Sequence, residues 1–279
     1  MRISVVIPTH DRAALLPRAL DSVLAQSRPA DEILVVDDGS RDDTAELVAR
    51  RYPMVRLLRQ PQRGVSAARN HGIAAAQGDW IALLDSDDAW RADKLAQQCQ
   101  LAAEAPECPL IHNDEIWIRN GRRVNPMKKH AKRGGWIYRH CLPLCVISPS
   151  AALIRRTELL ALGGFDENLP ACEDYDLWLR LCARHPVAYL PEPLTIKHGG
   201  HADQLSRAHW GMDRFRVRAL ERALREYPLS AEDRAATRAM LVKKARILAQ
   251  GAEKRGHNER AARYQRLIRQ WTDETAQSC

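Results

Sequence analysis

The chain has 279 residues, of which 45% are apolar and 28% charged, with 7 cysteines and a formal net charge of +8. That balance excludes a disordered or low-complexity polymer, and the length suffices to bury a substantial core. The cysteines are odd in number and scattered, with no CxxC pair, which predicts reduced thiols rather than a disulfide or zinc framework.

MRISVVIPTHDR begins with an apolar run stopped by Pro8 and charges, too brief for a signal-peptide core or a membrane span, so a cytoplasmic protein is expected. ISVVIP (3–8) predicts a strand, and Ala13 to Gln26 then puts Leu16, Ala19, Leu20, Val23 and Leu24 on one helical stripe. EILVVDD (32–38) is a second strand, followed by a helix over 43–52. MVRLLR (54–59) suits a third strand, RGVSAARNHGIAAAQ a helix of small residues, and DWIALLD (79–85) a fourth strand. Past residue 105, CPLIHND and EIWIRN read as a strand pair, GRRVNPMKKHAKRGG as a charged loop and VISPSAALIRR as a returning strand. EDYDLWLRLCARH is an amphipathic helix with Trp178 in its core face, VAYLPEPLTIKHGG a strand and loop, and the chain from Ala208 onward two or three helices.

Alternating strands and helices with near-continuous apolar strands predict an α/β fold, a mostly parallel sheet covered on both faces. Ligands of such sheets sit beyond the carboxyl ends of the strands, which gathers Pro8 to Asp11, Asp37 to Ser40 and Asp85 to Asp88 into one candidate site. LLDSDDAW places three carboxylates within four positions, so a positive partner belongs there. Asp85 and Asp87, two apart on an extended chain, project to one side and suit a hard cation such as Mg²⁺ or Mn²⁺. The competing use is capping, with Asp87 or Asp88 at the start of a helix near Ala89.

In VVDDGSRDDT, Asp42 or Asp43 caps the next helix, whereas Asp37 and Asp38 have no such duty and can accept from a base N–H or ribose hydroxyls. Arg63 and Arg69 offer charge-assisted bonds to phosphate or base. No GxGxxG or GxxxxGK[ST] supports a dinucleotide or P-loop site.

VVIPTHDR, ILVVDDGSRDDT, RGVSAARNHGI, LLDSDDAW and GGFDENLPACEDYDLWLR, in this order and spacing, resemble the family 2 glycosyltransferases of the GT-A fold over residues 2 to 200. The resemblance implies an inverting, metal-dependent transfer from a nucleotide-diphosphate sugar, a UDP-sugar foremost. The acceptor it implies is a saccharide or lipid-linked molecule in cell-surface polysaccharide assembly. Thr9 and Asp38 match positions that contact uracil or ribose, flanked by Pro8 and Arg12. Asp85 matches the first aspartate of the DxD pair, Asp87 the metal-binding one, with Ser86 between them on the donor side. Glu173 and Asp174 match an ED pair, in which Asp174 is the expected base and Glu173 the second choice. His198 and His201, on the Gly-containing loop KHGGHADQLS, are the expected histidine ligands, with His201 slightly favoured. Trp136 and Tyr138 either stack on an acceptor sugar or belong to the core.

These expectations divide the chain into residues 1–207, with a nucleotide half (1–105) and an acceptor half (106–207), and a basic extension over 208–279. A sugar-1-phosphate nucleotidyltransferase would carry a Gly-rich loop after the first strand, where this chain has PTHDRAALL. A silent nucleotide-binding module is disfavoured by the intact acidic set. Residues 203–279 carry 17 Lys+Arg against 10 Asp+Glu, while the first 202 nearly balance at 26 against 25. Such a tail either meets an anionic membrane surface or an acidic acceptor, or is a solvated face. Without interleaved aromatic and basic residues, nucleic acid is disfavoured.

Overall fold

The computed structural model describes residues 1–200 and 209–273. Its first half follows the apolar periodicity closely: β1 (Ile3–Thr9), α1 (Leu16–Leu24), β2 (Glu32–Asp37), α2 (Thr44–Arg51), β3 (Arg56–Arg59), α3 (Val65–Ala75) and β4 (Trp80–Leu83). The four strands pair in parallel in the order β3-β2-β1-β4. Strands buried on both faces need apolar residues at every position, and β1 is buried throughout. Its side chains alternate between two apolar layers: Ile3, Val5 and Ile7 join α1 on one face, and Val6 joins α3 on the other. Leu16, Ala19, Leu20 and Val23 bury the predicted stripe of α1, whereas Leu24, at the helix end, stays exposed. The small residues of α3 are a packing requirement, since a Cβ at Gly72 would lie 2.4 Å from Val6 Cγ1.

The second half contains β5 (Ala89–Trp90), α4 (Lys94–Glu104), β6 (Leu110–Arg119), β7 (Arg122–Val124), α5 (Tyr138–Cys141), β8 (Ala152–Arg155), α6 (Arg156–Ala161), α7 (Glu173–Cys182) and β9 (Ala188–Gly199). It departs from expectation in two places. No helix starts near Ala89: that segment is a short strand antiparallel to β9, because the buried Trp90 donates its indole N–H to Ser150 O (2.7 Å) and its backbone N–H to Ser22 Oγ (3.1 Å). Neither Asp87 nor Asp88 is therefore a helix cap. CPLIHND and EIWIRN are one strand, β6, running parallel to β9 with register shifts between Asn113 and Glu115. There the Asn113 amide donates to Asp114 O (2.7 Å) and Thr195 Oγ1 (2.9 Å), supplying hydrogen bonds where the ladder is irregular.

The whole sheet runs β3-β2-β1-β4-β8-β6-β9-β5, with β7 beside β6. β8 is antiparallel to both neighbours, so a parallel half meets a mixed half at β4. Three helices follow, α8 (Asp213–Glu226), α9 (Ala231–Glu253) and α10 (Asn258–Asp273). Phe215, Leu220, Leu241 and Trp271 pack into the same apolar cluster as Val6, Tyr175 and Trp178, so these helices cover one face of the sheet's core. Tyr138 belongs to that core, its hydroxyl bonded to Thr237 Oγ1 (2.9 Å), whereas Trp136 is 71% exposed.

Lys94 is fully buried, with Nζ donating to Gln98 Oε1 (2.8 Å) and lying 3.9 Å from the Trp90 ring centroid. Burial pushes its pKa well below the usual lysine value. The unfolded chain then binds the proton more readily than the native one, so stability rises as pH climbs toward the unfolded lysine value of about 10.4. Lys94→Met is expected to remove this component, which denaturant unfolding between pH 7 and 10 would show as a flatter profile than that of the parent.

Candidate active site at the carboxyl ends of the strands

Parallel pairing brings the ends of β1, β2 and β4 to one edge, where they border a cavity of about 620 Å³, a size suited to a small ligand. Eleven predicted residues line it: Pro8, Thr9, Arg12, Asp38, Arg69, Asp85, Ser86, Asp87, Glu173, Asp174 and His198. Asp37 and Arg63 do not. Asp37 is fully buried and accepts from Ser40 N (2.9 Å), closing the turn after β2, so it does have a structural duty. The Arg63 guanidinium is turned outward onto Glu167 Oε2 (2.8 Å). His201 lies outside the described residues.

Asp38 builds one wall of the cavity. Its Oδ1 accepts from Arg63 N (2.8 Å) and Gln60 Nε2 (2.8 Å), and Oδ2 from Gly64 N (2.7 Å), fixing the entry to α3. An ionised carboxylate has about four acceptor positions, so one remains for a ligand N–H or hydroxyl. Gly39, at φ +75°, makes the turn: a Cβ there would lie 2.9 Å from Gln62 N. Beside Asp38, whose backbone N–H donates to Thr9 O (2.8 Å), Thr9 is 3% exposed, and its Oγ1 has no hydrogen-bond partner among the described residues, an unspent polar atom at the cavity wall.

The acidic trio after β4 is divided. Asp85 Oδ1 accepts from Arg69 Nη2 (2.7 Å). Asp88 turns inward, accepting from Ser150 Oγ (2.6 Å) and the backbone N–H of His198 (2.9 Å), and so pins the end of β9 to the loop after β4. Burial, together with Asp87 and Asp85, pushes its pKa up to about 8 against the opposing pull of Lys197. All three acids border the cavity, and Asp87 lies beside His198, whose pKa is lowered by burial and by Arg18, leaving a neutral imidazole able to coordinate. Among the described residues no three His, Cys, Asp or Glu side chains are grouped to hold a metal. A hard dication that keeps its waters and takes its other ligands from phosphate fits this sparse oxygen-and-imidazole set.

The positive partners of the acids are Arg69 and Lys197. Arg69 is 4% exposed and spans Asp85 and Glu173 Oε1 (2.6 Å); burial alone would lower its pKa, but Asp85 and Glu173 more than offset that and raise it. Burial likewise opposes the charge on Lys197, and Glu115, Asp88, Asp85 and Asp174 outweigh it to raise the pKa. Lys197 was not foreseen; its only sequence signal is that it shares a strand face with the buried Thr195. Glu115 is ion-paired with Lys132 (3.1 Å) and accepts from Trp117 Nε1 (2.8 Å); burial would raise this carboxyl, but Lys132 and Lys197 hold it down at about 2.

The far wall is the amino end of α7. Cys172, at φ 62°, is one of few non-glycine residues here in the left-handed region, and this turn presents the next two carboxylates differently. Glu173 is buried on Arg69, and burial and Asp174 raise its pKa. Asp174 faces the cavity, with Oδ1 accepting from Tyr175 N (2.7 Å) and Oδ2 3.2 Å from Cys145 Sγ. Burial and Asp174 push the Cys145 pKa well up, so it stays a thiol, its one S–H within reach of Ile147 O (3.1 Å) as well as Asp174 Oδ2. Cys145, Met212 and Arg216 also line the cavity, and no sequence pattern marked them.

Residues 4–157 match the model of the family described as glycosyl transferase family 2, and residues 137–223 that of glycosyltransferase-like family 2. The chain belongs to glycosyl transferase family 2. An uncharacterized glycosyltransferase of Rickettsia felis is 29% identical over 203 residues, 70% of this chain and 32% of the relative. The chain thus spans about a third of the length of this relative and of a second one from Rickettsia conorii. The succinoglycan biosynthesis protein ExoO of Rhizobium meliloti is 40% identical over 124 residues, 44% of this chain and 36% of its own. Among solved structures, S. aureus TarS 1–349 in complex with UDP-GlcNAc superposes with a TM-score of 0.70 at 19% identity, covering 88% of this chain and 71% of that one. The mannosyltransferase PcManGT of Pyrobaculum calidifontis, in complex with GDP-Man and Mn2+, gives 0.59 at 19% identity over 94% and 84%. The fold of this family 2 chain is accordingly the GT-A α/β fold, and no helix of the described residues is long and apolar enough to cross a membrane.

Proposed function

We propose that this chain transfers a sugar, with inversion, from a nucleotide-diphosphate donor to a hydroxyl of a saccharide or lipid-linked acceptor. A UDP-sugar is the foremost donor and cell-surface polysaccharide assembly the setting. The observation that carries the reading is that nucleoside-binding groups (Thr9, Asp38) and a cavity-facing carboxylate (Asp174) share one pocket with Asp87 and Lys197. The nucleotide sugars held by the similar structures support the donor class, the Mn2+ of one supports a divalent cation, and the naming of ExoO supports the setting. A location in the cytoplasm, at the inner face of the membrane through the basic helices after residue 208, suits a lipid-linked acceptor.

In this reading Asp174 takes the proton of the acceptor hydroxyl as its oxygen attacks the anomeric carbon. The bond to the diphosphate breaks with its electron pair leaving on the nucleotide. Geometry favours Asp174 over Glu173, whose oxygen is already occupied by Arg69. Lys197, which lines the cavity along with Arg12, Arg69 and Arg216, is the cation we assign to offset charge on the departing diphosphate. Asp87, with His198, would hold Mg²⁺ or Mn²⁺, which when bound supplies Lewis-acid stabilisation of that same charge.

A screen of nucleotide sugars with Mn²⁺, scored by nucleoside diphosphate release, tests the proposal: release is expected with one donor class and is lost in Asp87→Ala. Pyrophosphate release from a nucleoside triphosphate would instead favour a nucleotidyltransferase, and nucleotide binding without turnover a silent module. Cys145 restrains the base, so Cys145→Ala is expected to lower kcat roughly threefold to tenfold with donor KM unchanged. Steady-state kinetics of Cys145→Ser, which keeps a donor, should show partial recovery.

A further inference from the structure

We propose that the arginine-lined cleft between α8 and the α9–α10 pair is a subsite for the diphosphate and adjoining lipid chain of a lipid-linked acceptor. This rests on the glycosyl-transfer reading of the neighbouring cavity. Trp210, just before α8, is 49% exposed, and the guanidinium carbons of Arg214 and Arg260 lie 4.6 and 4.5 Å from its ring centroid. Hollows lie on two sides of it. One is bordered by Trp210, Ile247, Leu248, Arg255 and Arg260, the other by Arg214, Arg218, Arg260, Arg263 and Arg266.

Among the described residues, the charge in these hollows is neutralised from within only at Arg216, which pairs with Asp213. Glu221 is held by Arg225 (2.5 Å), and Asp213 by Arg216 (2.9 Å) and Lys244 (2.8 Å). Among the described residues, no carboxylate forms an ion pair with Arg214, Arg218, Arg255, Arg260, Arg263 or Arg266, and Arg214 Nε is buried without a hydrogen-bond partner. Like charges gathered in a hollow repel unless an anion joins them. Every cation bordering the two hollows, apart from His257, is an arginine, the side chain whose planar fork matches phosphate oxygens in pairs.

Two further features select the acceptor. Met212 and Arg216 border both the catalytic cavity and the first hollow, and Cys172, just before the Glu173–Asp174 pair, has its Sγ 3.7 Å from Met212 O. A molecule whose phosphate rests on the arginines can therefore extend toward Asp174, on the side away from Asp38. Trp210 and Ile247, both large apolar side chains exposed to solvent, lie beside the same guanidiniums and offer an apolar chain a place to settle. The charges line a concavity, which suits a single phosphate group better than a bilayer face.

The test is calorimetric titration with farnesyl diphosphate, below its aggregation threshold, with UDP saturating the donor cavity. Tighter binding than inorganic pyrophosphate is expected. Arg260→Gln/Arg263→Gln/Arg266→Gln should weaken it roughly tenfold or more, and Arg218→Gln, on the opposite wall, should weaken it as well. Arg119→Gln/Arg122→Gln/Arg123→Gln removes the same charge from the remote β6–β7 hairpin and should change nothing. Equal losses in cleft and hairpin variants, or no preference for the prenyl compound over pyrophosphate, would overturn the proposal. So would loss of sedimentation with phosphatidylglycerol vesicles while farnesyl diphosphate binding is retained, which would mark a membrane-facing surface. Failure of UDP itself to bind would count against the donor reading, and the prenyl titration would still report on the cleft.

Discussion

Asp174→Asn is expected to reduce kcat by about 10²–10⁴-fold, the usual share of a positioned base, while leaving UDP affinity within about twofold. The amide keeps the shape and the acceptor atom for Tyr175 N, but it cannot take the hydroxyl proton as the acceptor oxygen attacks. The nucleotide contacts proposed above fall to Thr9 and Asp38, on elements other than α7, so binding and turnover should separate cleanly in one protein. Isothermal titration with UDP beside single-turnover kinetics would show it. A kcat reduced less than threefold would move the base elsewhere, and a parallel loss in Glu173→Gln alone would move it to the neighbour. Glu173→Gln should act chiefly on stability, because its carboxylate neutralises Arg69.

Arg69→Met is expected to cost about 3–5 kcal/mol of folding stability, because it strands a buried charge without a counterion. Glu173 is left with no cation at hydrogen-bond distance, and Asp85 loses the bond that orients it. The methionine fills the volume, so a cavity contributes little. Urea unfolding should place the midpoint far below the parent's, and Arg69→Met/Glu173→Gln should recover a large part of the loss, since a neutral pair removes the stranded charge. Destabilisation under about 1 kcal/mol would mean that water reaches Glu173 and that the pair is solvated after all. Arg69→Lys should fall between, because one ammonium cannot reproduce two bonds diverging to separate carboxylates.

The parallel half of the sheet was readable because its strands are buried on both faces and so spell uninterrupted apolar runs. The segment after β4 was not, because Trp90 is held by Ser22 and Ser150, residues far away in sequence, against a composition that reads as a helix start. The site shows the same division. Strand-end acids such as Asp38, Asp85 and Asp87 were legible because topology alone brings strand ends together. Whether an acid faces inward or outward was not: Asp37 closes a turn and Asp88 anchors β9. Arg63 looked like a phosphate ligand and is engaged by Glu167. Lys197 and Cys145 reach the cavity only through the packing of β9 and of the segment leading to the single helical turn at Pro149–Ala151, for which no local pattern exists.

The three N–H groups that converge on Asp38, and the glycine turn packed against Gln62, hold the corner proposed for the nucleoside in place through contacts within the chain itself. If a nucleotide binds there as proposed, its affinity is not discounted by ordering of these groups. The width of that corner is written in main chain, so changing which base it accepts would demand a shift of backbone; exchanging one side chain would not suffice.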